Sequence, residues 1–137
     1  MILVDTGPLV ALFDPADASH KRSIDQLRKI SEPLCTTTPV LTEAFHLLTP
    51  ASVGTRRLMD FVTDGGVAMW YFDAAGLGRA FELVVRYANV PMDLADASLV
   101  VAAERLSARK IFTIDRSDFA VYRIQRGHRH LSFEVLQ

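Results

Sequence analysis

Four acidic residues stand where their carboxyl groups could meet in one site: Asp5, Glu43, Asp96 and Asp115. The first and the last each end a short aliphatic run, and Glu43 lies in the early turns of a helix that follows another such run. Asp96 lies near the start of a strongly apolar helix. Short apolar runs bounded by turn residues are typical of buried strands in a parallel sheet, where functional groups gather beyond the carboxyl ends of the strands. We therefore predict that the four acids line one pocket.

Each acid also has an ordinary structural explanation. Asp5 and Asp115 are residue types common in turns and helix caps, and the helix dipole favours Glu43 near a helix N-terminus. Asp93 and Asp96 fit a capping box, with Asp93 as the cap and Asp96 returning a hydrogen bond. Capping explains Asp96 less well, because its neighbours predict a largely buried helix, in which an unpaired carboxylate is costly. Four acids at equivalent topological positions are harder to explain by capping alone.

Carboxylates packed together repel each other, so such a pocket needs protons or cations to hold it. Oxygen ligands without His or Cys partners suit a hard cation such as Mg²⁺ or Mn²⁺. The most common use of such a cluster is phosphoryl chemistry, in which one metal ion activates the attacking water and a second can stabilise the leaving oxygen. The hydroxyl groups of Thr6, Thr113 and Ser117, next to the acids, could orient that water or a phosphate oxygen.

The elements that must position these acids alternate between strands and helices. We predict strands at residues 1–5, 34–37, 67–72, 110–115 and 131–136, and helices at 8–13, 19–30, 40–48, 52–63, 75–87 and 92–103, with a turn or short helix at 116–119. Thr6 and Thr38 are the predicted caps of the first and third helices, each followed closely by a proline. This order predicts a three-layer α/β/α sandwich with a central parallel sheet of four to five short strands, formed by residues 1–137 as a single domain.

The composition is that of a folded protein. Hydrophobic residues make up 50% of the 137 residues and charged residues 23%, which excludes a disordered chain. No apolar run approaches the roughly 20 residues needed to span a bilayer. The N-terminus lacks a basic region and Asp5 interrupts its apolar run, which argues against a secretory signal. The single cysteine, Cys35, excludes an internal disulfide and is interpreted as a buried thiol. We expect a cytoplasmic protein with no membrane partner.

The net charge of −1 conceals an asymmetry. Residues 1–104 contain 8 Lys and Arg against 13 Asp and Glu, whereas residues 105–137 contain 7 against 3. An acidic body could hold metal ions while a basic C-terminal quarter contacts a polyanion. Two solvated faces would give the same totals, and charge counting alone favours that simpler interpretation.

The chain resembles PIN-domain ribonucleases of the VapC type, the toxins of bacterial and archaeal toxin–antitoxin pairs. The matching segments are Val4-Asp5-Thr6-Gly7-Pro8, Thr42-Glu43-Ala44, Asp96-Ala97-Ser98-Leu99-Val100 and Thr113-Ile114-Asp115-Arg116-Ser117-Asp118-Phe119. Each segment is short, but their order and spacing in a chain of this length make a specific signal. The resemblance covers essentially the whole chain.

This resemblance implies a PIN fold, usually dimeric, in which the four acids bind Mg²⁺ or Mn²⁺ and activate water to cut RNA. It also implies a cognate antitoxin whose C-terminal segment covers the acidic pocket, often with an arginine. Asp93 and Asp118 are candidates for a position around the metal ligands or for capping. The pair Gly7 and Pro8 departs from the serine or alanine more usual there, and we expect no effect on the metal site.

RNA is expected to approach the pocket along nearby cations, namely Lys110, Arg116, Arg123 and Arg126. Arg129 follows in the same segment, and spaced arginines without interleaved aromatic residues predict phosphate contact rather than base recognition. Trp70 and its neighbours are predicted to be core rather than a stacking platform for bases. His46, three residues after Glu43, is interpreted as a half-buried histidine rather than as its partner.

Other families fit less well. A receiver-type phosphoacceptor domain needs an adjacent acid pair after the first strand and a lysine ending a late strand, and a haloacid-dehalogenase-like phosphatase needs Asp-x-Asp, but Thr6-Gly7 follows Asp5. Walker and Gly-x-Gly-x-x-Gly motifs are absent. The remaining alternative is a catalytically silent PIN fold that only binds RNA or a protein, which the intact set of acids disfavours. The sequence leaves open which RNA is cut, the number of metal ions and the antitoxin.

Overall fold

A computed structural model describes all 137 residues of the chain. Its elements in chain order are β1 (Ile2–Val4), α1 (Thr6–Phe13), α2 (His20–Lys29), β2 (Leu34–Thr37), α3 (Thr38–Leu47), α4 (Val53–Thr63), β3 (Ala68–Trp70), α5 (Ala74–Arg86), α6 (Leu94–Leu106), β4 (Lys110–Phe112), α7 (Arg116–Val121), β5 (Arg123–Arg126), β6 (Arg129–Ser132) and β7 (Glu134–Leu136). No helix is both long and apolar enough to cross a membrane.

Five strands form one parallel sheet in the order β3-β2-β1-β4-β7. Leu3, at the centre, pairs with Cys35 on one side and Ile111 on the other. Every residue of β1 and β2 is buried, which explains why these strands are continuous apolar runs or end in small hydroxyl residues. The predicted parallel sheet and its number of strands are confirmed.

Helices cover both faces of the sheet. The chain moves from β1 to β2 to β3 in one direction and then returns across the sheet to β4, so right-handed crossovers place the two sets of helices on opposite faces. Accordingly α1 packs against α2, α3 and α4, while α5 packs against α6. The predicted α/β/α sandwich is confirmed.

The first and third helices begin two residues earlier than the predicted ranges, and their caps lie one residue earlier than predicted. Asp5 caps α1, its Oδ1 accepting a hydrogen bond from the amide of Thr6 at 2.8 Å, so Thr6 is a helical residue. Thr37 caps α3 in the same way, with its Oγ1 3.4 Å from the amide nitrogen of Val40. The predictions of Thr6 and Thr38 as caps were therefore wrong by one residue, because each helix begins immediately at the end of the preceding strand and leaves no separate turn residue.

The C-terminal segment contains a hairpin that the sequence pattern missed. β5 and β6 form an antiparallel hairpin that is separate from the main sheet, and β7 alone joins the main sheet. Gly127, at φ +63°, and His128 form the two-residue connection, where a positive φ is required. Ile124 and Leu131 are paired on the inner face of the hairpin, whose strand β5 packs on α6. The strand predicted at 131–136 is therefore confirmed only in part: β7 forms its second half in the main sheet, and its first two residues belong to β6.

Candidate active site

The carboxyl edge of the sheet carries a pocket of about 700 Å³. Seven carboxylates line it: Asp5, Asp17, Glu43, Asp93, Asp96, Asp115 and Asp118. The four acids singled out in the sequence are therefore brought together, from the end of β1, from α3, from α6 and from the residue before α7. Asp93 and Asp118 lie in the same pocket.

Asp5 is the most buried of these acids, at 9% exposure. Besides capping α1, it accepts a hydrogen bond at Oδ2 from the Thr113 hydroxyl, at 2.8 Å. Burial is the main cause that raises the pKa of Asp5 to about 6; the charges of Glu43 and Asp93 add to the shift, and the two hydrogen bonds offset part of it. The capping interpretation of Asp5 is thus correct, but it does not remove the cost of a buried charge.

Asp96 is both a capping residue and a pocket residue. Its amide donates to Oδ1 of Asp93 at 2.8 Å, and its Oδ2 lies 3.4 Å from the amide nitrogen of Asp93, which completes the predicted capping box. The same Oδ2 accepts a hydrogen bond from the hydroxyl of Tyr122 at 3.0 Å. Burial raises the pKa of Asp96 to about 7, and the charges of Asp93 and Asp5 contribute to the shift.

Asp115 lies at the more solvent-exposed side of the pocket. Its Oδ1 accepts hydrogen bonds from the Ser117 hydroxyl at 2.8 Å and from the Asp118 amide at 3.4 Å, so it caps α7. The bond from Ser117 holds the pKa of Asp115 below its usual value. Burial, followed by the neighbouring Asp115, raises the pKa of Asp118 instead. The two neighbouring acids therefore differ in their tendency to carry a charge.

Glu43 and Thr6 face each other across the pocket wall. Burial and the charge of Asp93 raise the pKa of Glu43, and the nearby Thr6 hydroxyl offsets part of the shift. That hydroxyl is buried and has no hydrogen-bond partner of normal geometry. A buried polar atom without a partner is uncommon in folded proteins, and this one belongs to a residue that lines the acidic pocket.

Thr113 connects two of the acids. Its fully buried hydroxyl donates to Asp5 and accepts a hydrogen bond from the amide of Asp115 at 3.1 Å. The hydroxyl predicted to orient water or phosphate is thus occupied in orienting Asp5. Ile114, the residue after Thr113, explains why a glycine is present at position 7. A Cβ at Gly7 would lie only 3.2 Å from the Ile114 Cδ1.

The chemistry of the residues that line the acidic pocket fits a divalent cation. All the ionisable groups of the pocket are carboxylates, and the raised pKa values of Asp5 and Asp96 mean that the fold gathers more negative charge than it neutralises. As the side chains stand, no three His, Cys, Asp or Glu groups converge in metal-ligand geometry. Hydrogen bonds from the hydroxyl groups of Thr113, Tyr122 and Ser117 orient Asp5, Asp96 and Asp115 in turn.

Two of the four predicted phosphate-binding cations lie away from the pocket. Lys110 begins β4 and pairs with Glu32, and so lies at the opposite end of the strand from the acids. Arg126 donates through Nη2 to the carbonyl groups of Ala103 and Ala108, at the C-terminal end of α6, whereas Asp96 is in the first turn. Both side chains therefore form structural contacts away from the acidic pocket.

The other two predicted cations are closer to the acids. Arg123 follows Tyr122 and donates through Nη1 to the carbonyl groups that end α7, which occupies much of its hydrogen-bonding capacity. Arg116 is exposed, lies next to Asp115 and forms no ion pair.

Asp17 and Ser19 line the pocket but escaped the sequence interpretation, because no local signal connects the turn before α2 with the other acids. Lys21 and Arg22 follow them and are exposed in the first turn of α2. His46 is exposed rather than half-buried as predicted.

The aromatic segment around Trp70 divides between core and surface. Trp70 and Phe72 pack against the core, with ring centroids 5.2 Å apart and an interplanar angle of 75°. Tyr71 between them is 67% exposed. The core prediction is therefore correct for Trp70 and wrong for Tyr71, because the segment leaves the strand at this point and turns one ring outward.

Comparison with known proteins identifies similar sequences and folds. The family model described as "PIN domain" matches residues 2–124. Ribonuclease VapC26 of Mycobacterium tuberculosis is 28% identical over 131 residues, which cover 93% of this chain and 96% of that protein.

Solved structures share the fold at lower sequence identity. VapC20 of Mycobacterium tuberculosis, described as a sarcin–ricin loop cleaving toxin, has a TM-score of 0.78 and 20% identity, over 85% of this chain and 92% of that one. A toxin–antitoxin complex from Klebsiella pneumoniae has a TM-score of 0.67 and 18% identity, over 88% and 92%. VapBC2 from Rickettsia felis, bound to a DNA fragment from its promoter, has a TM-score of 0.60 and 16% identity, over 87% and 91%.

Proposed function

This chain belongs to the PIN domain family, and we propose that it is a divalent-metal-dependent endoribonuclease that acts as the toxin of a toxin–antitoxin pair. The observation that carries the proposal is the convergence of Asp5, Glu43, Asp96 and Asp115 on one pocket. The relative named ribonuclease VapC26, and the similarly folded VapC20, support both the reaction and the class of toxin.

The electrostatics of the pocket favour catalysis over binding alone. Burial and mutual repulsion raise the pKa values of Asp5, Glu43 and Asp96, so the cluster lowers the stability of the fold when it is fully charged. Such a cluster has a clear use in assembling metal ions around a phosphate. A surface that only binds RNA, which is itself an anion, would be expected to carry the opposite charge.

Asp5, Glu43, Asp96 and Asp115 would hold the Mg²⁺ or Mn²⁺, which would supply activation of the attacking water and stabilisation of the charge that develops on the leaving oxygen. The chain fixes three of these ligands through hydroxyl groups, those of Thr113, Tyr122 and Ser117. Glu43, whose pKa is raised, is suited to accept the proton of the attacking water. Arg116, free of ion pairs at the pocket edge, would position a phosphate of the RNA strand.

The proposed protein partners are a cognate antitoxin and a second copy of the chain. Leu47 lines the acidic pocket and is 56% exposed, so an antitoxin segment covering the pocket would bury it while a cationic side chain neutralised the acids. Phe81 and Val85, one turn apart on α5, are 55% and 77% exposed and would lie in a homodimer interface. Sedimentation velocity of the parent and of Val85→Asp tests the dimer.

Cleavage of purified RNA tests the proposed nuclease. Protein free of antitoxin would be incubated with tRNA, ribosomal RNA and single-stranded DNA, in Mg²⁺ or Mn²⁺ and then in EDTA. We expect cleavage of RNA that needs the metal ion and that is lost in Asp96→Asn, whose amide keeps the size of the side chain. Circular dichroism establishes that this variant is folded. Failure of folded, metal-bound protein to cut any of these substrates would favour a PIN fold that only binds RNA or a protein.

A further inference from the structure

A second groove, of about 850 Å³, opens directly beside the acidic pocket. Glu43 and Asp93 line both cavities and so form the wall between them. The remaining lining comes from α3, from the segment after β3 and from the start of α6. We call it the aromatic groove and define it by Pro39, Thr42, His46, Tyr71, Phe72 and Leu94.

Tyr71 is the exposed ring of this groove. Its neighbours Trp70 and Phe72 are fixed by packing edge to face against each other and against the core. The chain on either side of Tyr71 is therefore held, while the Tyr71 ring itself is 67% exposed. An exposed aromatic ring on a fixed backbone gives a preformed apolar surface at the carboxyl edge of the sheet.

The groove combines apolar faces with polar groups. The rings of Tyr71 and Phe72 and the side chains of Pro39 and Leu94 supply apolar surface. The hydroxyl of Tyr71 and the imidazole of the exposed His46 offer hydrogen bonds. An unpaired nucleobase has the matching character, with an apolar face that stacks on aromatic rings and polar edges that form hydrogen bonds.

We propose that the aromatic groove binds an unpaired nucleobase of the RNA strand whose phosphate occupies the acidic pocket, with the base stacked on Tyr71. This inference rests on the proposed ribonuclease function. The shared wall of Glu43 and Asp93 places the groove within reach of the nucleotide next to that phosphate. A neutral base, unlike a phosphate, can approach these carboxylates without repulsion and without a cation. The groove would thereby contribute to the choice of the cleavage site.

Binding measured in a non-cleaving protein tests the proposal separately from the nuclease reaction. In the Asp96→Asn background, with Mg²⁺ present, fluorescence anisotropy would follow a labelled decaadenylate and a ribose-phosphate strand of the same length without bases. Tyr71→Ala is compared with Tyr71→Phe, which keeps the ring. Met59→Ala is the control, because it removes a similarly exposed apolar side chain, from α4, that lines neither cavity.

We expect Tyr71→Ala to weaken binding of decaadenylate roughly 5- to 150-fold, the range that stacking of one base provides. Tyr71→Phe should keep most of the affinity because the ring remains, and Met59→Ala should bind like the background protein. The strand without bases should not distinguish any of the variants. Unchanged binding in Tyr71→Ala, or an equal loss with the strand lacking bases, would overturn the proposal. So would a change in the sedimentation of Tyr71→Ala without a change in RNA binding, since the groove would then be an interface between copies.

The two proposals fail in different ways. If the parent chain cuts RNA and Tyr71→Ala binds decaadenylate normally, the groove assignment is wrong and the nuclease assignment stands. If binding depends on Tyr71 and on the bases but the folded parent cuts no RNA, the groove assignment stands for a chain that binds RNA without cleaving it.

Discussion

The hydroxyl of Tyr122 donates a hydrogen bond to Asp96, with Oη 3.0 Å from Oδ2. The phenol ring is fully buried and lies edge-on to Phe119 and Tyr87, each with a centroid 5.2 Å away. Burial, and then the charge of Asp96, raise the pKa of Tyr122, so the hydroxyl remains a donor. Since Tyr122 ends α7 and Asp96 opens α6, the end of one helix sets the orientation of a carboxylate on the other.

Replacement of Tyr122 by phenylalanine should impair the metal site without unfolding the protein. The ring and its packing stay, but Asp96 loses a hydrogen bond to a carboxylate of a kind that contributes about 1.5–3 kcal/mol. We expect weaker Mg²⁺ binding in calorimetric titration and a kcat for RNA cleavage lower by roughly 10- to 100-fold.

The matched control is Tyr87→Phe. Tyr87 packs against Tyr122, and its hydroxyl accepts one hydrogen bond, from the amide of Arg123. The Tyr87 hydroxyl forms no hydrogen bond with Asp96. We expect Tyr87→Phe to change stability at most slightly and to leave Mg²⁺ binding unchanged. Equal losses of Mg²⁺ affinity in the two variants would mean that Tyr122 acts only through packing.

Thr113→Val removes the hydroxyl that joins Asp5 to the amide of Asp115. Valine keeps the shape of the side chain, so the change isolates the two hydrogen bonds. We expect the free energy of unfolding to fall by about 1–3 kcal/mol and Mg²⁺-dependent cleavage to fall with it. Urea denaturation measures the first effect and the RNA assay the second.

Thr36→Val provides the comparison for Thr113→Val. Thr36 is also fully buried, and its hydroxyl donates to the carbonyl of Val4 at 2.8 Å, outside the acidic pocket. A similar loss of stability is expected, with cleavage retained at temperatures where the variant is folded. If cleavage depended only on stability, the two variants would lose it together.

The acids were predictable because each coincides with a local signal. Asp5 ends an apolar run before a helix, and that pattern specifies both the strand and the edge of the sheet where the side chain lies. Tyr122 has no comparable signal, because its hydrogen bond to Asp96 spans 26 residues and depends on how α6 and α7 pack. For the same reason, the sequence placed Thr113 beside the acids but did not predict that its hydroxyl bonds Asp5, 108 residues away in the chain.

Lys110 illustrates a different limit of sequence interpretation. It is close to Asp115 in the chain, but β4 runs between them and carries the backbone roughly 10 Å away from Lys110. Residues that are close in sequence can therefore lie at opposite ends of a strand, and so at opposite edges of the sheet. Tyr71 shows a related limit. The run of three consecutive aromatic residues at 70–72 did not reveal that the strand ends at Trp70 or which of the rings leaves the core.

Without metal ions, the protein should become less stable as the pH rises from about 4.5 to 7. The pKa of Asp5 is raised from 3.8 to about 6, so the folded state holds a proton that the unfolded state has already released. Stability therefore falls with rising pH in this window, by about 2 kcal/mol for Asp5 alone. Asp96, with a pKa of about 7, extends the decline upward.

Melting temperatures measured in EDTA across this range test the expectation. The lowered pKa values of Glu32, Asp73 and Asp115 act in the opposite sense, but their stabilisation is lost only as the pH falls below about 4.5. Mg²⁺ should restore stability more at pH 7 than at pH 5, since it replaces the missing protons. Asp5→Asn should flatten the EDTA profile, and a parent profile that rises between about pH 4.5 and 7 would contradict the role of the buried acids.

The two arginines Arg116 and Arg126 should differ in their effect on RNA binding. Arg116 is exposed beside Asp115 without an ion pair, so Arg116→Ala should lower the slope of log K against log salt by about 0.7, the value for one phosphate of a single strand. Arg126 is occupied by the carbonyl groups of Ala103 and Ala108, so Arg126→Ala should leave that slope unchanged and lower stability by about 1 kcal/mol. Anisotropy titrations of labelled RNA against Asp96→Asn protein at several KCl concentrations measure the slope. An equal reduction in both variants would mean that RNA reaches the far end of α6 and that phosphate contacts extend well beyond the acidic pocket.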